Sequence, residues 1–526
     1  MSVASRPVVA WPDGQLAPSL QAACRRWAAR PAVTVAGATL TFAEVGQGVA
    51  RLTAGYRRLG IGPGDRVVCQ LANSVEHLLA INAAWAVGAI HVGTDNDLTG
   101  RELGSVAERT AAAAVLFAPR PDAADPLAPT GGVRAAHPST RVLGTNDLAA
   151  LLAGAEEVDD WSPPHARDDT AHLLLTSGTT GRPKMVMETL PACWAKMQFF
   201  VDAFRPGPDD VQLLYLPMSH VFGMRLAMLT LLSGGRLVLA DRFSADAALR
   251  LVGDEGVTVL PGMPAHFTLL LDTLDPAHHR VTSLRWAISA ASNLPRPLVD
   301  RIYDRLGVDL LYVYGCSENF TVTSTDRDEI RSGSVGRRVF VGPEGTPPNG
   351  MVAAFEPGGA TRLPAGDVGE LAFGAAQPVR YWNDPDAATD GWYRTGDLGR
   401  VDPDGRVYVL GRLKELVNRA GLHVSPSEVE TAVRLHPGVA DSAVVATPDP
   451  VVGEAICACV VASSTAPPSL AELRAFLAPT LARHKLPDEL CLVDVIPRTK
   501  IGKVDRTALA AEVVDGDLVR ERWRPR

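Results

Sequence analysis

The sequence predicts an α/β protein in two units: a large body of layered, mostly parallel sheets with helices over residues 1–412, and a small α+β domain over 413–526. Three observations predict it. A chain of 526 residues is too long for one apolar core. From about residue 40 to 420, strand-like apolar runs alternate with Ala/Leu-rich helical segments, the texture of parallel sheets covered by helices. After the tight turn Asp402-Pro-Asp-Gly405 the pattern changes.

The strand-like runs are Asp65 to Leu71, Ala113 to Phe117, His172 to Leu175, Gln212 to Leu216, Arg236 to Leu239 and Val257 to Leu260. Segment 120–168, rich in Pro, Ala and Asp, reads as a surface connection. Ser425-Pro-Ser-Glu428 predicts a new helix, with serine as N-cap, proline at the first helical position and Glu428 closing a capping box. No internal repeat is visible.

Composition narrows the function. The formal net charge of -8 offers no broad basic surface, which argues against nucleic acid as the main partner. The N-terminus has no apolar core behind a basic start, and no run approaches a bilayer-spanning length, so the sequence predicts a cytoplasmic protein without membrane attachment. The seven cysteines are scattered; Cys457 and Cys459, in a strand-like run, share a face and show no zinc-ligand or disulfide pattern. Six lysines stand against 45 arginines, so a lysine marks a place where a compact, flexible ammonium is needed, or stands at some sites by chance.

The strongest local signal is Leu173-Leu-Leu-Thr-Ser-Gly-Thr-Thr-Gly-Arg-Pro-Lys184. A strand runs into a loop where Gly178 and Gly181 let backbone N–H groups approach an anion, Thr176, Ser177, Thr179 and Thr180 add neutral donors, and Lys184 adds charge. That set suits a polyphosphate, and it lacks the spacing of the P-loop pattern. No Gly-x-Ser-x-Gly occurs, which disfavours a serine hydrolase.

This stretch resembles the phosphate-binding loop of the adenylate-forming superfamily of acyl-CoA synthetases, nonribosomal peptide adenylation domains and luciferases. Further motifs follow in the family's order: Val313-Tyr-Gly-Cys-Ser-Glu318, with serine where the family has threonine; Tyr393-Arg-Thr-Gly-Asp397; Gly411-Arg-Leu-Lys-Glu-Leu-Val417; and Pro497-Arg-Thr-Lys-Ile-Gly-Lys503. The type approached most nearly is the carboxylate–CoA ligase.

The resemblance implies an ATP-dependent, AMP-forming acid–thiol ligase: a carboxylate attacks the α-phosphorus of ATP, pyrophosphate leaves, and the acyl group passes to the thiol of coenzyme A. Both reactants are anionic, so catalysis is positioning and electrostatics. By the same resemblance the loop residues and Lys184 hold the outer phosphates, Ser317 a phosphate oxygen, and Glu318 a Mg²⁺ ion. Tyr314 covers the adenine, Asp397 accepts the ribose hydroxyls, and Arg412 contacts the ribose or α-phosphate. Lys503 neutralises the pentavalent phosphoryl group when the C-terminal domain is docked. That domain is then mobile, turning about Lys414 to admit the thiol past Gly421.

The acyl pocket is expected from His220, Val221 and Arg225, from Ala290 and Asn293, and from Gly315, Cys316 and Asn319. Arg225 lies in an otherwise apolar helical stretch, either at an edge with its stem packed or inward, where a polar group on the substrate would be its partner. With Asn293 and Asn319, the inward reading favours an aryl or short, polar-substituted acid. The sequence departs from the family where Lys184-Met-Val-Met-Glu-Thr-Leu190 replaces Lys-Gly-Val-x-x-Thr-His, and where Ser289-Ala-Ala-Ser-Asn-Leu294 replaces Ser-Gly-Ala-Ala-Pro-Leu. The acceptor therefore stays open between coenzyme A, a carrier-protein thiol and an amine; another small oxyanion could be activated instead of a carboxylate, and a non-catalytic nucleotide-binding regulator is the rival of another class.

Overall fold

The computed structural model describes residues 16–118, 128–154, 156–162, 169–176, 184–318, 321–337, 352–374, 379–389, 391–463, 467–499, 503–516 and 518–523. Among the described residues three sheets form, two in the body and one at the C-terminal end.

The first body sheet has a parallel centre, in which the strands Pro31–Val35, Arg236–Leu239, Val211–Leu214, Val259–Gly262, Trp286–Ser289 and Asp309–Gly315 lie side by side. Beyond Asp309–Gly315 it continues antiparallel to Arg406–Arg412 and Trp392–Val401. The second has Thr170–Thr176, Ile90–Gly93, Arg66–Gln70, Ala114–Phe117 and Arg141–Leu143 in parallel, with Lys184–Thr189 folded back antiparallel on Thr170–Thr176. All six runs predicted as strands are strands, within two residues at most ends. Segment 120–168 is more than a connection: it contributes the helices Ala128–Ala136 and Thr145–Leu152 and the edge strand Arg141–Leu143. Its small residues masked the signal, since three residues are too few to show a period.

Two helices fix how the body sheets meet. Val75–Val87 is buried from His77 onward, and Val221–Leu232 from Gly223 onward. A helix apolar on all sides has no solvent face and belongs between layers. The two touch through Asn82, whose Nδ2 lies 3.6 Å from Met228 Sδ.

Beside this contact lies a buried polar cluster. His91 and His172 face each other with Nδ1 atoms 3.0 Å apart, and the His77 ring packs against His91. The Nε2 atoms of all three lack a hydrogen-bond partner among the described residues, so protonation would place an unpaired charge in the core. Burial accordingly lowers His77 and His172 from 6.5 to about 4, and His91 well below its ordinary value. The sign follows directly. Between pH 6.5 and about 4 the unfolded chain binds these protons and the folded chain does not, so stability is complete above that window and falls as pH falls through it. Each histidine contributes a slope of about 1.4 kcal/mol per pH unit. The thermal midpoint of the body should drop steeply from pH 6.5 to 4.5 in a pH-scanned melt; a flat midpoint over that range would show that the cluster opens to water.

The C-terminal sheet is built on the hairpin Val439–Asp449 and Gly453–Ala462, with Glu489–Leu492 parallel to its second strand. Its core is separate: Val417, Val424, Val444, Ile456 and Leu490 form one apolar face, and Cys457, Cys459 and Cys491 pack on the other against Leu509 and Val513. All seven cysteines are free thiols. The helix predicted after Ser425 is present as Pro426–Val433, but the capping box is not. Ser425 Oγ donates to the Leu410 carbonyl instead, and Glu428 accepts from Lys485 Nζ at 2.6 Å, so cap residues are spent on holding this domain to the strand that ends in Arg412 and on its own packing.

Candidate active site

The site lies where the antiparallel end of the first sheet meets the C-terminal domain. Asp397 and Arg412 are direct partners on adjacent strands, and Arg412 Nε stands 2.8 Å from Asp397 Oδ1. Tyr314, next to last in Asp309–Gly315, donates its hydroxyl to Asp397 Oδ2 at 2.7 Å. The motif around Asp397 forms for local reasons: Gly396 takes φ +73°, Thr395 Oγ1 donates to the Leu371 carbonyl, and Glu370 accepts from Gly396 N–H and Arg394. Asp397 is thus a strand residue rather than a helix cap.

Its electrostatics are those of a carboxylate held ready. Burial raises the Asp397 carboxyl above its ordinary value while Arg412 pulls it down. Burial and then the neighbouring carboxylate raise the Tyr314 hydroxyl well above its usual value, which keeps it a donor. A carboxylate has about four lone-pair sites, and the protein uses one on each oxygen, so each can still accept from a neighbouring ribose hydroxyl.

Lys503 comes from 106 residues further along the chain. It is half-buried, its carbonyl accepts from Thr499 N–H at 2.7 Å, and the flanking Arg498 and Val504 pair as a β-bridge. Burial and then the like charge of Arg412 lower its ammonium below the ordinary value, while Asp397 and Glu415 draw it back. An ammonium in that setting lacks a full counterion and gains most when a further anion arrives.

A second group of side chains stands around Tyr381. Lys184 Nζ lies 4.8 Å from the Tyr381 ring centre, and the Tyr381 hydroxyl donates to Glu318 Oε1 at 3.4 Å. Val221 and Tyr393 pack on the cluster of Leu174, Val186, Val379 and Tyr381. Thr176 Oγ1 is 3.5 Å from the Lys184 carbonyl, where the two strands separate into the loop. Ser317 and Cys316 are half-buried just beyond exposed Gly315. Ser177, Gly178, Thr179, Thr180, Gly181 and Asn319 lie outside the described residues. Tyr381 and Glu415 were missed by sequence reasoning: Tyr381 sits in a three-residue strand with no period to read, and Glu415 reads as a solvated neighbour of Lys414.

Among the described residues no group of three or more His, Cys, Asp or Glu side chains is set to hold a metal. Mg²⁺ is ordinarily held by one or two carboxylates together with the phosphates of its substrate, and Glu318, one half-buried carboxylate near Lys184, fits that manner of binding.

Two pocket expectations are corrected. Arg225 is neither at an edge nor aimed at a substrate: it is 5% exposed and its Nη2 is 2.5 Å from Glu188 Oε1, which also accepts from Lys196 Nζ at 2.7 Å. A buried guanidinium requires a carboxylate, and the chain supplies its own. Asn293 is exposed and its Nδ2 lies 3.3 Å from Thr431 Oγ1 in the Pro426–Val433 helix, so it faces the C-terminal domain. The turn before it carries Ala291 at φ +74°, which swings the following residues outward. Ala290 itself is buried at the end of its strand.

Lys414 lies in the 3₁₀ turn Leu413–Glu415 between the two cores. Gly421, at φ +83° beside Ala420 at +51°, forms the two-residue tip of the hairpin Val417–Arg419 and Leu422–Val424, a turn that demands left-handed backbone. No described helix is long and apolar enough to cross a membrane.

Comparison with known proteins agrees with this fold. Residues 20–380 match the family described as AMP-binding enzyme, and residues 428–503 its C-terminal domain. A methyl-dioxo-octahydro-indenyl-propanoyl:CoA ligase of Rhodococcus jostii is 31% identical, over 94% of this chain and 98% of its own. A feruloyl-CoA synthase of an Amycolatopsis species is 31% identical, over 90% of this chain and 94% of its own. The crystal structure of ATP-bound MatB from Rhodopseudomonas palustris superposes with a TM-score of 0.82 at 28% identity, over 95% of this chain and 99% of that one. With an aspartate, arginine and lysine gathered from two domains in the family's order, the chain belongs to the AMP-binding enzymes of the adenylate-forming superfamily and is an AMP-forming acid–thiol ligase among them.

Proposed function

We propose that this enzyme activates a cyclic or aryl carboxylic acid as its acyl-adenylate and transfers the acyl group to coenzyme A. The observation that carries the reading is that Lys503 lies within electrostatic reach of the Asp397–Arg412 pair: a cation from the C-terminal domain near a carboxylate suited to a ribose. Lys503 and Arg412 supply positive charge where the α-phosphoryl group gains negative charge, and Asp397 with Tyr314 orients the nucleoside. Glu318, Lys184 and Ser317 are the residues that would hold the outer phosphates. Mg²⁺ bound there with ATP would neutralise leaving pyrophosphate.

For the acid, the chemistry named for the Rhodococcus and Amycolatopsis relatives supports a ring-bearing carboxylate. The argument for a second polar group loses its basis, since Arg225 and Asn293 have partners within the chain. Pyrophosphate release measured over a panel of aryl, alicyclic, short polar and long-chain acids, with and without coenzyme A, tests both halves. The expected result is turnover highest for a ring-bearing acid and raised by coenzyme A. Preference for long unsubstituted chains would reject the acid class, and turnover indifferent to coenzyme A would reject the acceptor.

A further inference from the structure

Sequence reasoning assigned His220 to the acyl pocket, and its surroundings show how it is held. The turn before it is closed by His220 N–H donating to the Pro217 carbonyl at 3.1 Å. Buried Asn73 fastens the same stretch: its Oδ1 accepts from Met218 N–H at 2.9 Å, and its Nδ2 donates to the Leu216 carbonyl at 2.9 Å. Gly93, ending the strand Ile90–Gly93, makes room for it: a Cβ there would sit 2.7 Å from Ser219 O and 2.9 Å from Ser219 Cα. The chain therefore brings the His220 turn directly onto the end of the strand that adjoins Thr170–Thr176, whose last residues lead into the phosphate loop.

Two residues past Gly93 comes Asp95, and its Oδ1 lies 2.9 Å from His220 Nε2. Both side chains are 34% exposed, so the pair meets solvent and any incoming acceptor. His220 occupies the N-cap of Val221–Leu232 yet its ring makes no capping bond. A ring that donates Nε2–H to a carboxylate carries its lone pair on Nδ1 when neutral. Its chain neighbour Val221 packs in the same cluster as Tyr381, the residue bonded to Glu318.

We propose that Asp95 and His220 form a base dyad for the second half-reaction, with His220 taking the proton of the incoming thiol and Asp95 fixing the tautomer that allows it. This rests on the acid–thiol ligase reading above. A thiol near its ordinary pKa of roughly 8.5 is mostly protonated at neutral pH, and only the thiolate is a good nucleophile. In the step, the S–H proton moves to Nδ1, the sulfur forms a C–S bond to the acyl carbon, and the C–O bond to the phosphate breaks. AMP leaves with that electron pair. The imidazolium, stabilised by Asp95, returns its proton to solvent. His220 is the catalytic residue here, and Asp95 a positioning residue.

Hydroxylamine separates the two half-reactions, since it traps the acyl-adenylate as a hydroxamate and is neutral, with no proton to lose before attack. For the panel acid with the highest turnover, Asp95→Asn is expected to lower thioester formation with coenzyme A about 100-fold more than hydroxamate formation, the lower end of what a general base contributes. The excess deficit should shrink as pH rises past the thiol pKa, where the acceptor arrives deprotonated. Hydroxamate formation by the variant reports that it is folded. Equal losses in both products, an unchanged thioester rate, or a deficit independent of pH would each overturn the dyad. Wild-type enzyme that gives no hydroxamate with any acid would overturn the ligase reading, and the dyad with it.

Discussion

Replacing Lys503 with alanine is expected to slow adenylate formation by about 10²–10³-fold, while transfer from supplied acyl-adenylate to coenzyme A falls far less. The magnitude is that of removing one preorganised partner of a developing oxyanion, roughly 3–4 kcal/mol. The selectivity comes from position. Lys503 lies on the C-terminal domain, and its ammonium reaches the Asp397–Arg412 pair only through the docking seen here, in which Ser425 Oγ bonds the Leu410 carbonyl and Asn293 faces Thr431. Gly411 belongs to that seam, since a Cβ there would collide with Ser425 Oγ. The family resemblance implies a second pose, reached once the adenylate exists, in which the domain is turned away and the lysine has no task. Nor should the substitution unfold the protein: burial and Arg412 disfavour this ammonium more than Asp397 and Glu415 favour it, so deleting the charge removes no net stabilisation. Pyrophosphate exchange, single-turnover transfer and a thermal melt of the variant make the measurement. Equal damage to both half-reactions, with an unchanged melt, would reject the rotation of the lysine out of the site.

Much of this was legible in the sequence because the relevant signals are local. The runs Arg236 to Leu239 and Ala113 to Phe117 are short, apolar and bounded by breakers, and a buried parallel strand has few other ways to be written. Gly405, read as the end of a tight turn, adopts the left-handed backbone such a turn needs, at φ +82°. Asp397, Arg412 and Lys503 could be named because their motifs are compact. What escaped were the pairings between distant segments. Nothing near Ser425 says that its hydroxyl will bond Leu410 rather than cap its own helix. Nothing near His220 points to Asp95, 125 residues earlier, because the approach depends on a glycine at the end of a strand in the other sheet. Asn293 was misread for the same reason: its partner Thr431 belongs to another domain.

Arg225 is the instructive error, and it yields the second large effect. Arg225→Leu is expected to destabilise the body by about 3–5 kcal/mol, the usual consequence of taking one member from a buried ion group. Glu188 is 1% exposed and lies between two cations, Arg225 at 2.5 Å and Lys196 at 2.7 Å. Burial raises its carboxyl, yet Arg225 and then Lys196 more than offset this and hold it at about 2. Without the guanidinium, Lys196 is the main group left to oppose burial, and Glu188 Oε2 already lacks a partner among the described residues. The triad also sits where the family's sequence pattern is broken: Glu188 is in Lys184–Thr189, directly after the phosphate loop, and is the register partner of His172 on the strand before it. Damage should therefore reach the geometry of that loop, raising the KM for ATP, without reordering preferences among acids. A triple variant, Glu188→Leu, Lys196→Met and Arg225→Leu, should recover most of the stability, because an apolar set of similar volume is often as good as a buried ion group. Chemical denaturation of both variants, with acid ranking by pyrophosphate release, decides the matter. An Arg225→Leu enzyme of unchanged stability and altered acid ranking would return the guanidinium to the substrate pocket.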